Sequence, residues 1–436
     1  MMYAGLDYGT SNCAIGIDVA EQVQLIPLED GRPLMPSTLY APSQALLTQL
    51  ATQFKNRKPF SFAEFSFGSA ATAAYLHDPT TGFYVKSPKS FLGARGISPE
   101  VQHRFTVIVT GMMQHIFNAL KTHTERVHTG KSVDHVVIGR PVNFQGAGGD
   151  ADNRRALAIL TDAAKACGVR DVAFLFEPMA AALELEARQT TEATVLVVDI
   201  GGGTTDCSFI RIGPSRRARL DRSEDILGHS GERIGGNDYD QLLAFHGLMP
   251  ALGLGSKRAN GLPLPNHLFM DAVSINDVNA QQRFYSAALR EQMHRYSLEM
   301  EPGHTCTRLL NLRDSRNSYR FVAASENAKI RLSETSAVEV DLGFVETGLS
   351  VGLTEPQLAS ASEKLSLHLR SLLDEVLAQG STQPDLVYLT GGMARSPLAR
   401  ACVQAALPEV PLVDSDHFLS VTEGLTIWSR RLFGLT

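Results

Sequence analysis

Two stretches of the chain share one pattern: a strand, an aspartate, a glycine-rich turn with hydroxyl side chains, and a second strand. The first stretch is LDYGTSNCAIGI at residues 6–17, and the second is VLVVDIGGGTTDCSFI at residues 195–210. A glycine-rich turn between strands lets backbone N–H groups face an anion, because no Cβ stands in the way. The pattern therefore predicts a pair of phosphate-binding hairpins.

Each hairpin also carries an acidic residue just before its turn, namely Asp7 in the first and Asp199 in the second. A carboxylate at such a position can hold Mg²⁺, directly or through the water molecules of the ion. Two hairpins of this kind, one in each half of the chain, can close on a nucleotide from opposite sides. We therefore expect a two-lobed protein that handles ATP.

The length and composition of the chain agree with this expectation. At 436 residues the chain is too long for one ordinary hydrophobic core and suits two lobes. A net charge of −6 argues against non-specific nucleic-acid binding, and no run approaches the roughly 18 apolar residues of a membrane span. The N-terminus lacks a signal-peptide pattern, and five scattered cysteines without a C-x-x-C pair are typical of reduced thiols. A cytoplasmic protein without nucleic-acid or membrane partners is expected.

Apolar runs typical of strands alternate with segments of helical periodicity, which predicts an α/β protein with an internal duplication. Residues 41–85 are irregular and predict a small peripheral subdomain, and the Gly- and Pro-rich residues 247–265 predict a loop. The run RIGPSRRARLDR at residues 211–222 is basic. Such a run can bind an anionic partner, but a solvated loop or hairpin tip is the favoured interpretation.

Several motifs spread over about 390 residues follow the order known from one protein family. They are LDYGTSN at 6–12, IGRPVNF at 138–144, FEPMAAAL at 176–183, DIGGGTTD at 199–206, GGNDYD at 235–240, ENAKIRLS at 326–333 and LTGGMARSP at 389–397. With these motifs the chain resembles the actin-like ATPases, and among them the nucleotide-binding domain of DnaK-type heat-shock chaperones. One such motif alone is a weak signal, whereas the ordered set is specific.

The resemblance implies an α/β, two-lobed actin-like ATPase fold, in which duplicated mixed-sheet core domains enclose a nucleotide cleft and carry smaller peripheral subdomains. Lobe I is expected at residues 1–187, with a peripheral subdomain at about 38–110 and the C-terminal helix at 412–436 returning to it. Lobe II is expected at 188–411, with a peripheral subdomain at about 229–335. Clefts between domains are common ligand sites.

The resemblance also implies the metal and phosphate contacts. Mg²⁺ is expected at Asp7, Asp199 and Asp206, mostly through water, and the last two, with Thr204, are expected to be catalytic as well. Phosphoryl transfer requires mainly positioning and neutralisation of charge, which a cradle rich in donors supplies. The phosphates are expected against Gly9, Thr10, Ser11, Asn12, Gly201, Gly202, Gly203, Thr204 and Thr205.

Two further residues are implied for the chemical step. KSPKSFLGAR at residues 86–95 resembles the family segment whose lysine reaches the γ-phosphate and the attacking water. The register of its FLG triplet selects Lys89 rather than Lys86 as a catalytic and cofactor-binding residue. Glu177 matches the residue that helps to position the nucleophilic water.

The adenosine side is implied by the remaining motifs. The expected contacts are Gly235, Gly236, Glu326, Lys329, Ser333, Gly391, Gly392, Met393 and Arg395. Glu326 and Lys329 are three residues apart on a predicted helix and therefore share one face. The sequence departs from the family at Ile330, where many relatives have Arg, and at Met393, where they have Ser. Stacking of the base on a guanidinium group is therefore expected to be partly lost.

A full DnaK-type chaperone continues into an apolar linker and a peptide-binding β domain, whereas this chain stops at Thr436. We expect a YegD-like relative without that domain: a monomeric, slow ATP hydrolase that uses ATP/ADP and Mg²⁺ and changes conformation with the nucleotide. Unfolded proteins or co-chaperones are its further expected partners. Two alternatives stay open, a small-molecule (sugar-type) kinase, since sugar kinases share the fold, and a filament-forming actin-like protein.

Overall fold

The structure of the chain is a computed structural model. It describes residues 2–42, 62–92, 99–127, 132–142, 144, 150–300, 306–380, 382–414 and 419–434. Parts of the predicted peripheral subdomain at 38–110 and of the C-terminal segment at 412–436 therefore lie outside the described residues.

The first half of the chain builds one large sheet, a small three-stranded sheet and the helices that pack on them. In chain order its elements are β1 (Met2–Tyr8), β2 (Asn12–Val19), β3 (Gln22–Leu25), β4 (Met35–Pro36), β5 (Thr38–Pro42), β6 (Ser66–Phe67), α1 (Gly68–His77), β7 (Gly82–Lys86), a 3-10 turn (Pro88–Phe91), α2 (Pro99–Val127), β8 (Val133–Arg140), α3 (Asp150–Ala166), β9 (Asp171–Phe176) and α4 (Glu177–Arg188).

The second half builds another large sheet, a two-stranded sheet and a group of helices. Its elements are β10 (Ala193–Ile200), β11 (Thr205–Ile212), β12 (Ile226–Glu232), α5 (Gly236–Leu243), α6 (Asn266–Val273), α7 (Val278–Phe284), α8 (Ala287–Leu298), α9 (Thr307–Asp314), α10 (Ser318–Leu332), β13 (Ala337–Asp341), β14 (Ser350–Thr354), α11 (Glu355–Ala361), α12 (Glu363–Gln379), β15 (Leu386–Thr390), α13 (Pro397–Ala406), β16 (Leu412–Asp414) and α14 (Ser420–Phe433).

The two large sheets repeat one topology, which confirms the predicted duplication. The first sheet has the order β3-β2-β1-β8-β9, with β4 paired to β2, and the second has the order β12-β11-β10-β15-β16. In each sheet an antiparallel hairpin, β1–β2 or β10–β11, is followed by a parallel neighbour, β8 or β15. The glycine-rich turns lie at the same place in both sheets, between the strands of that hairpin.

The central strand of the second sheet is covered on both faces, which explains its unbroken run of apolar residues. Leu196 and Val198 face a core that includes Leu369 and Leu373 of α12. Val195 and Val197 face a core formed with α4 and with α14, which also packs against β1 and β8. The last described helix therefore joins the cores of both halves.

The predicted loop at 247–265 is only partly a loop. The chain continues from α5 through a π-helical turn (Ala244–Leu248) and a 3-10 turn (Met249–Leu252) before the irregular segment begins. Leu248, Met249 and Leu252 are fully buried in the core of the surrounding helices. Burial of these side chains outweighs the weak helical tendency of a segment rich in Gly and Pro.

The basic run at 211–222 begins in β11 and continues into its connection to antiparallel β12, as predicted for a hairpin tip, but it is only partly solvated. Arg222 is 5% exposed and donates hydrogen bonds of 3.1 and 2.9 Å to the carboxylate of Glu186, which is 0% exposed. Arg222 also donates to buried Asp225 at 2.5 Å, and Arg431 of α14 lies 3.4 Å from Glu186. A buried carboxylate requires a paired cation, and these arginines supply it.

This ion-pair network generates a prediction about stability. Replacing Arg222 with Ala leaves two buried carboxylates short of a partner, so the free energy of unfolding should fall by about 3 kcal/mol. The matched control is Arg219→Ala in the same run, where the side chain is 48% exposed and the loss should stay below about 1 kcal/mol. Urea unfolding followed by circular dichroism measures both, and equal losses would contradict the assignment.

Candidate active site

The two glycine-rich turns are built by matching hairpins. In the first, β1 ends at Tyr8 and β2 begins at Asn12, so that residues 9–11 form the turn. In the second, Gly201 N donates to Thr204 O at 2.9 Å and closes the turn between β10 and β11. The strand register pairs Asp199 directly with Asp206 across this second hairpin. Each turn therefore stands at the edge of its sheet with carboxylates at its base.

The two turns touch each other. A Cβ added to Gly202 would lie 1.9 Å from Ser11 Oγ of the first turn, and one added to Gly203 would lie 2.8 Å from Thr10 Cγ2. At distances this short, a side chain at either position would force Ser11 or Thr10 to move. The glycines therefore allow the second turn to approach the first, in addition to freeing N–H groups for an anion.

A cavity of about 410 Å³ opens between the turns. The predicted site residues that line it are Asp7, Gly9, Thr10, Ser11, Asn12, Lys89, Glu177, Asp199, Gly201, Gly202, Thr204, Gly236, Glu326, Lys329, Ser333, Gly391, Gly392, Met393 and Arg395. These residues come from both halves of the chain and from segments almost 400 positions apart.

Some predicted residues lie behind this lining and do not reach the cavity surface. They are Gly203, Thr205, Asp206 and Gly235. Asp206 Oδ1 accepts a hydrogen bond of 2.9 Å from Val142 N, and Thr205 Oγ1 donates to Ile234 O at 2.7 Å. Thr205 and Gly235 therefore support the turn, and a direct contact with phosphate is not indicated for them.

Charge is concentrated at the inner end of the cavity. Lys89 Nζ lies 2.5 Å from Glu177 Oε1, and the two residues are 5% and 7% exposed. Burial, together with the charge of Glu177, raises the pKa of Asp7 and of Asp206 to about 7 and raises the pKa of Asp199 well above its usual value. Burial acts to lower the pKa of Lys89, but Glu177 and Asp7 outweigh it and raise that pKa.

This excess of buried carboxylates fits a bound cation. One ammonium group faces several acidic side chains whose charged forms are disfavoured by burial, and a divalent ion would relieve that imbalance. Among the described residues, no three His, Cys, Asp or Glu side chains lie close enough to hold a metal ion by themselves. Mg²⁺ keeps several of its waters and requires few protein ligands, so Asp7 and Asp199 suit it as partners through water.

The turn that carries Lys89 is fastened to the first glycine-rich turn. It follows Ser87, a fully buried residue with φ of 61° and ψ of 55°. Ser87 N donates to Ser37 O at 2.8 Å, and Ser37 Oγ donates to Gly9 O at 2.7 Å. The left-handed backbone at Ser87 thus directs the chain so that Lys89 enters the cavity.

Asn237 links the same turn to the other half of the chain. Its backbone N–H donates to Gly202 O at 2.7 Å, and its side-chain Nδ2 donates to Ser87 Oγ at 3.3 Å. Sequence reasoning missed this residue, although it stands inside the GGNDYD motif. Only the glycines of that motif were assigned, because nothing in the sequence indicates that residues 87 and 237 meet.

The outer end of the cavity carries two ion pairs. Lys329 lies 2.8 Å from Asp240, and Glu326 is paired with Lys86, which was rejected as a phosphate contact and lies on β7 of the first half. Burial raises the pKa of Asp240 to about 6. Burial also disfavours the charged form of Glu326, but Lys86 outweighs it and lowers the pKa of that carboxyl. Asp240 and Lys86 were not assigned from the sequence.

The two departures from the family pattern lie at this outer end. Ile330 is 55% exposed and lines the cavity, while Met393 is 4% exposed and donates its backbone N–H to Ile200 O at 3.1 Å. Arg395 also lines the cavity. An apolar wall beside an arginine is therefore available to a planar base.

The duplicated sheets, the paired turns and the shared cavity define a protein of the actin-like ATPase class. A comparison with known families supports this independently, because the family model described as Hsp70 protein matches residues 3–249. The match spans more than half of the chain, and the chain belongs to the Hsp70 family. Members of this family bind ATP or ADP with Mg²⁺ and are ATPases.

The matched range ends before the segments at 326–333 and 389–397, so their assignment depends on the resemblance of their motifs and on the cavity they line.

A separate observation concerns membranes. Within the part of the chain that the structure describes, no helix combines the length and apolar character that a membrane span requires.

The backbone at Ser87 generates a prediction. Replacing Ser87 with Gly should be neutral or raise the free energy of unfolding by up to about 1 kcal/mol, because Gly adopts positive φ without steric conflict. Ser87→Val should lower it by about 2 kcal/mol, because a β-branched side chain is strained there. Ser87→Ala separates the loss of the hydroxyl from the strain. Thermal unfolding ranks the stability of the three variants. A Ser87→Gly variant that is less stable than Ser87→Val would refute the argument.

Proposed function

We propose that this protein binds ATP with Mg²⁺, hydrolyses it slowly and changes conformation with the bound nucleotide. The observation that supports the proposal most directly is the buried pair of Lys89 and Glu177 at the inner end of a cavity lined by both glycine-rich turns. Such a pair suits water as the phosphoryl acceptor. The low rate and the association with chaperones rest on the family alone.

The phosphates would lie between the turns, against residues 9–12 and against Gly201, Gly202 and Thr204. Backbone N–H groups and hydroxyls at these positions suit phosphate oxygens, and Lys89 would face the γ-phosphate. Glu177 would orient the attacking water beside Lys89. Mg²⁺, held through water by Asp7, Asp199 and Asp206, would neutralise charge on the phosphates. Positioning and charge neutralisation are the main contributions that phosphoryl transfer requires.

The adenosine would lie at the outer end of the cavity. Glu326 and Lys329 would meet the ribose hydroxyls, and Ser333 would meet the edge of the base. The base itself would lie against Ile330 and Arg395, with less cationic stacking than a pair of arginines provides. This arrangement would change how tightly the nucleotide binds more than it would change which base is preferred.

The conformational change would consist of the two lobes closing on the nucleotide. We propose lobe I at residues 1–187 with 412–436, and lobe II at residues 188–411. A ligand that contacts both lobes binds the closed form better than the open form and therefore shifts the population towards closure. The γ-phosphate would contact both turns, so its loss would weaken the closed form.

A second candidate function is favoured by one observation. A further cavity of about 520 Å³ shares Ser11, Asn12, Glu326 and Ile330 with the first one and is walled by Tyr75, Tyr84, Tyr319 and Phe344, among others. A small-molecule kinase requires an acceptor pocket beside the phosphate donor, and this cavity is large enough to hold one. The position of Lys89 and Glu177 in the first cavity nevertheless favours water.

The assignment of Lys89 is tested by Lys89→Ala. Hydrolysis should fall by at least about 10², because a contact that strengthens in the transition state is lost, while ATP binding should change little. Retained binding also shows that the variant is folded. Lys86→Ala is the contrasting variant. We expect it to bind ATP more weakly and to keep a nearly unchanged kcat. Calorimetric titration and phosphate release measure both, and a parent-like rate for Lys89→Ala would rule the assignment out.

The choice between water and a small-molecule acceptor has its own test. Phosphate release from ATP should proceed without any added acceptor and should not increase when a panel of sugars and polyols is supplied. The measurement is release of inorganic phosphate together with mass spectrometry for phosphorylated products. A strict requirement for one of these compounds, with formation of its phosphate ester, would favour the kinase.

A further inference from the structure

Arg140 is the last residue of β8 and clamps the segment that follows it. Its Nε donates to Pro141 O at 3.1 Å and its Nη2 donates to Val142 O at 3.0 Å. A guanidinium group holds its donors in a fixed plane, so two such bonds define the path of the backbone between them. The path of residues 141–142 is therefore set by a side chain outside the cavity lining.

The clamped segment holds one of the proposed metal carboxylates. Val142 N donates to Asp206 Oδ1 at 2.9 Å, and Asp206 is 2% exposed. The carbonyl of Val142 is thus fixed by Arg140 while its N–H group is fixed by Asp206. Since β8 belongs to the first sheet and β11 to the second, this chain of contacts joins the two halves of the protein.

The same guanidinium group contacts the residue that precedes Glu177. Arg140 Cζ lies 4.6 Å from the centroid of the Phe176 ring, within the range of a cation–π interaction. Arg140 and Phe176 are register partners in the parallel pair β8–β9, so the contact follows from the strand pairing. Phe176 precedes the first residue of α4, which is Glu177.

The charges agree with this placement. Burial lowers the pKa of the Arg140 guanidinium group, and the carboxylates of Asp206 and Glu177 act in the opposite direction. The cation therefore lies within the field of both acids. Neither carboxylate forms a direct hydrogen bond with it among the contacts that the described residues make, so its action on them passes through Val142 and Phe176.

We propose that Arg140 is a positioning residue, which sets Asp206 and Glu177 in the relative geometry required for hydrolysis. Its effect on catalysis rests on the proposed function, because it concerns the same chemical step. Its planar fork and its contact with Phe176 are both required. A lysine would keep the charge but could not donate from two fixed positions to both carbonyls.

The experiment compares Arg140→Gln and Arg140→Lys with matched variants of Arg217, which also donates to two backbone carbonyls, those of Glu186 and Gln189. A displacement of about 1 Å in a catalytic group lowers a rate by about 10². We expect kcat to fall between 10- and 100-fold in both Arg140 variants, with the Kd for ATP within about threefold of the parent value. The Arg217 variants should keep the parent kcat.

Hydrogen–deuterium exchange of the full chain provides a readout independent of activity. The amide of Val142 should exchange at least about tenfold faster in both Arg140 variants, because its bond to Asp206 loosens, and should not change in the Arg217 variants. A parent protein that does not release phosphate from ATP would overturn the proposed function. The exchange of Val142 would still decide whether Arg140 positions the segment.

Two results would overturn the inference. The first is a parent-like rate of Val142 exchange in Arg140→Gln, which would mean that the segment is held without the guanidinium group. The second is full recovery of kcat in Arg140→Lys, which would mean that the charge alone matters. The inference is supported if both Arg140 variants show faster exchange of Val142, a lower kcat and an unchanged Kd for ATP. A purely structural role would lower the stability of the protein without lowering kcat at an unchanged Kd.

Discussion

Burial of charge at the inner end of the cavity determines how the rest of the site is arranged. Lys89 faces Asp7, Glu177, Asp199 and Asp206, and these five side chains are largely removed from water. The guanidinium group of Arg140 also acts on two of these acids, Asp206 and Glu177. These two cations do not compensate four buried carboxylates, so burial favours protonation of the acids or a further cation beside them. Magnesium bound to a polyphosphate would suit this imbalance, because the metal would be held by the acids and the phosphates by the N–H groups of the turns.

Duplication supplies the geometry that this arrangement requires. Each large sheet offers a single hairpin with acids at its base, and one hairpin alone would leave half of a polyphosphate in water. Gly202 and Gly203 permit the two hairpins to approach to van der Waals contact with Ser11 and Thr10. A side chain at either glycine would force Ser11 or Thr10 to move, so the sequence of the second turn is constrained by packing as well as by ligand chemistry.

Features set by local sequence could be predicted, and features set by distant pairs could not. The hairpins, the alternation of strands and helices, and most of the residues that line the cavity follow from local patterns, although their roles stay predictions. Asn237 and Lys86 were missed because each has a partner more than 100 positions away. The burial of Arg222 within the basic run was missed for the same reason, since its partner Glu186 is 36 positions away in a helix. Composition cannot distinguish a solvated arginine from one paired in the interior.

Three of the contacts that could not be predicted from the sequence join the first half of the chain to the second. Asn237 reaches Ser87, Glu326 reaches Lys86, and Asp206 reaches the backbone of Val142. All three surround the cavity rather than the outer surface of either sheet. A ligand that separates or draws together the walls therefore acts on every one of these contacts at once. On the proposed function, coupling between nucleotide and conformation would require no special relay, because the contacts that join the two halves also surround the cavity.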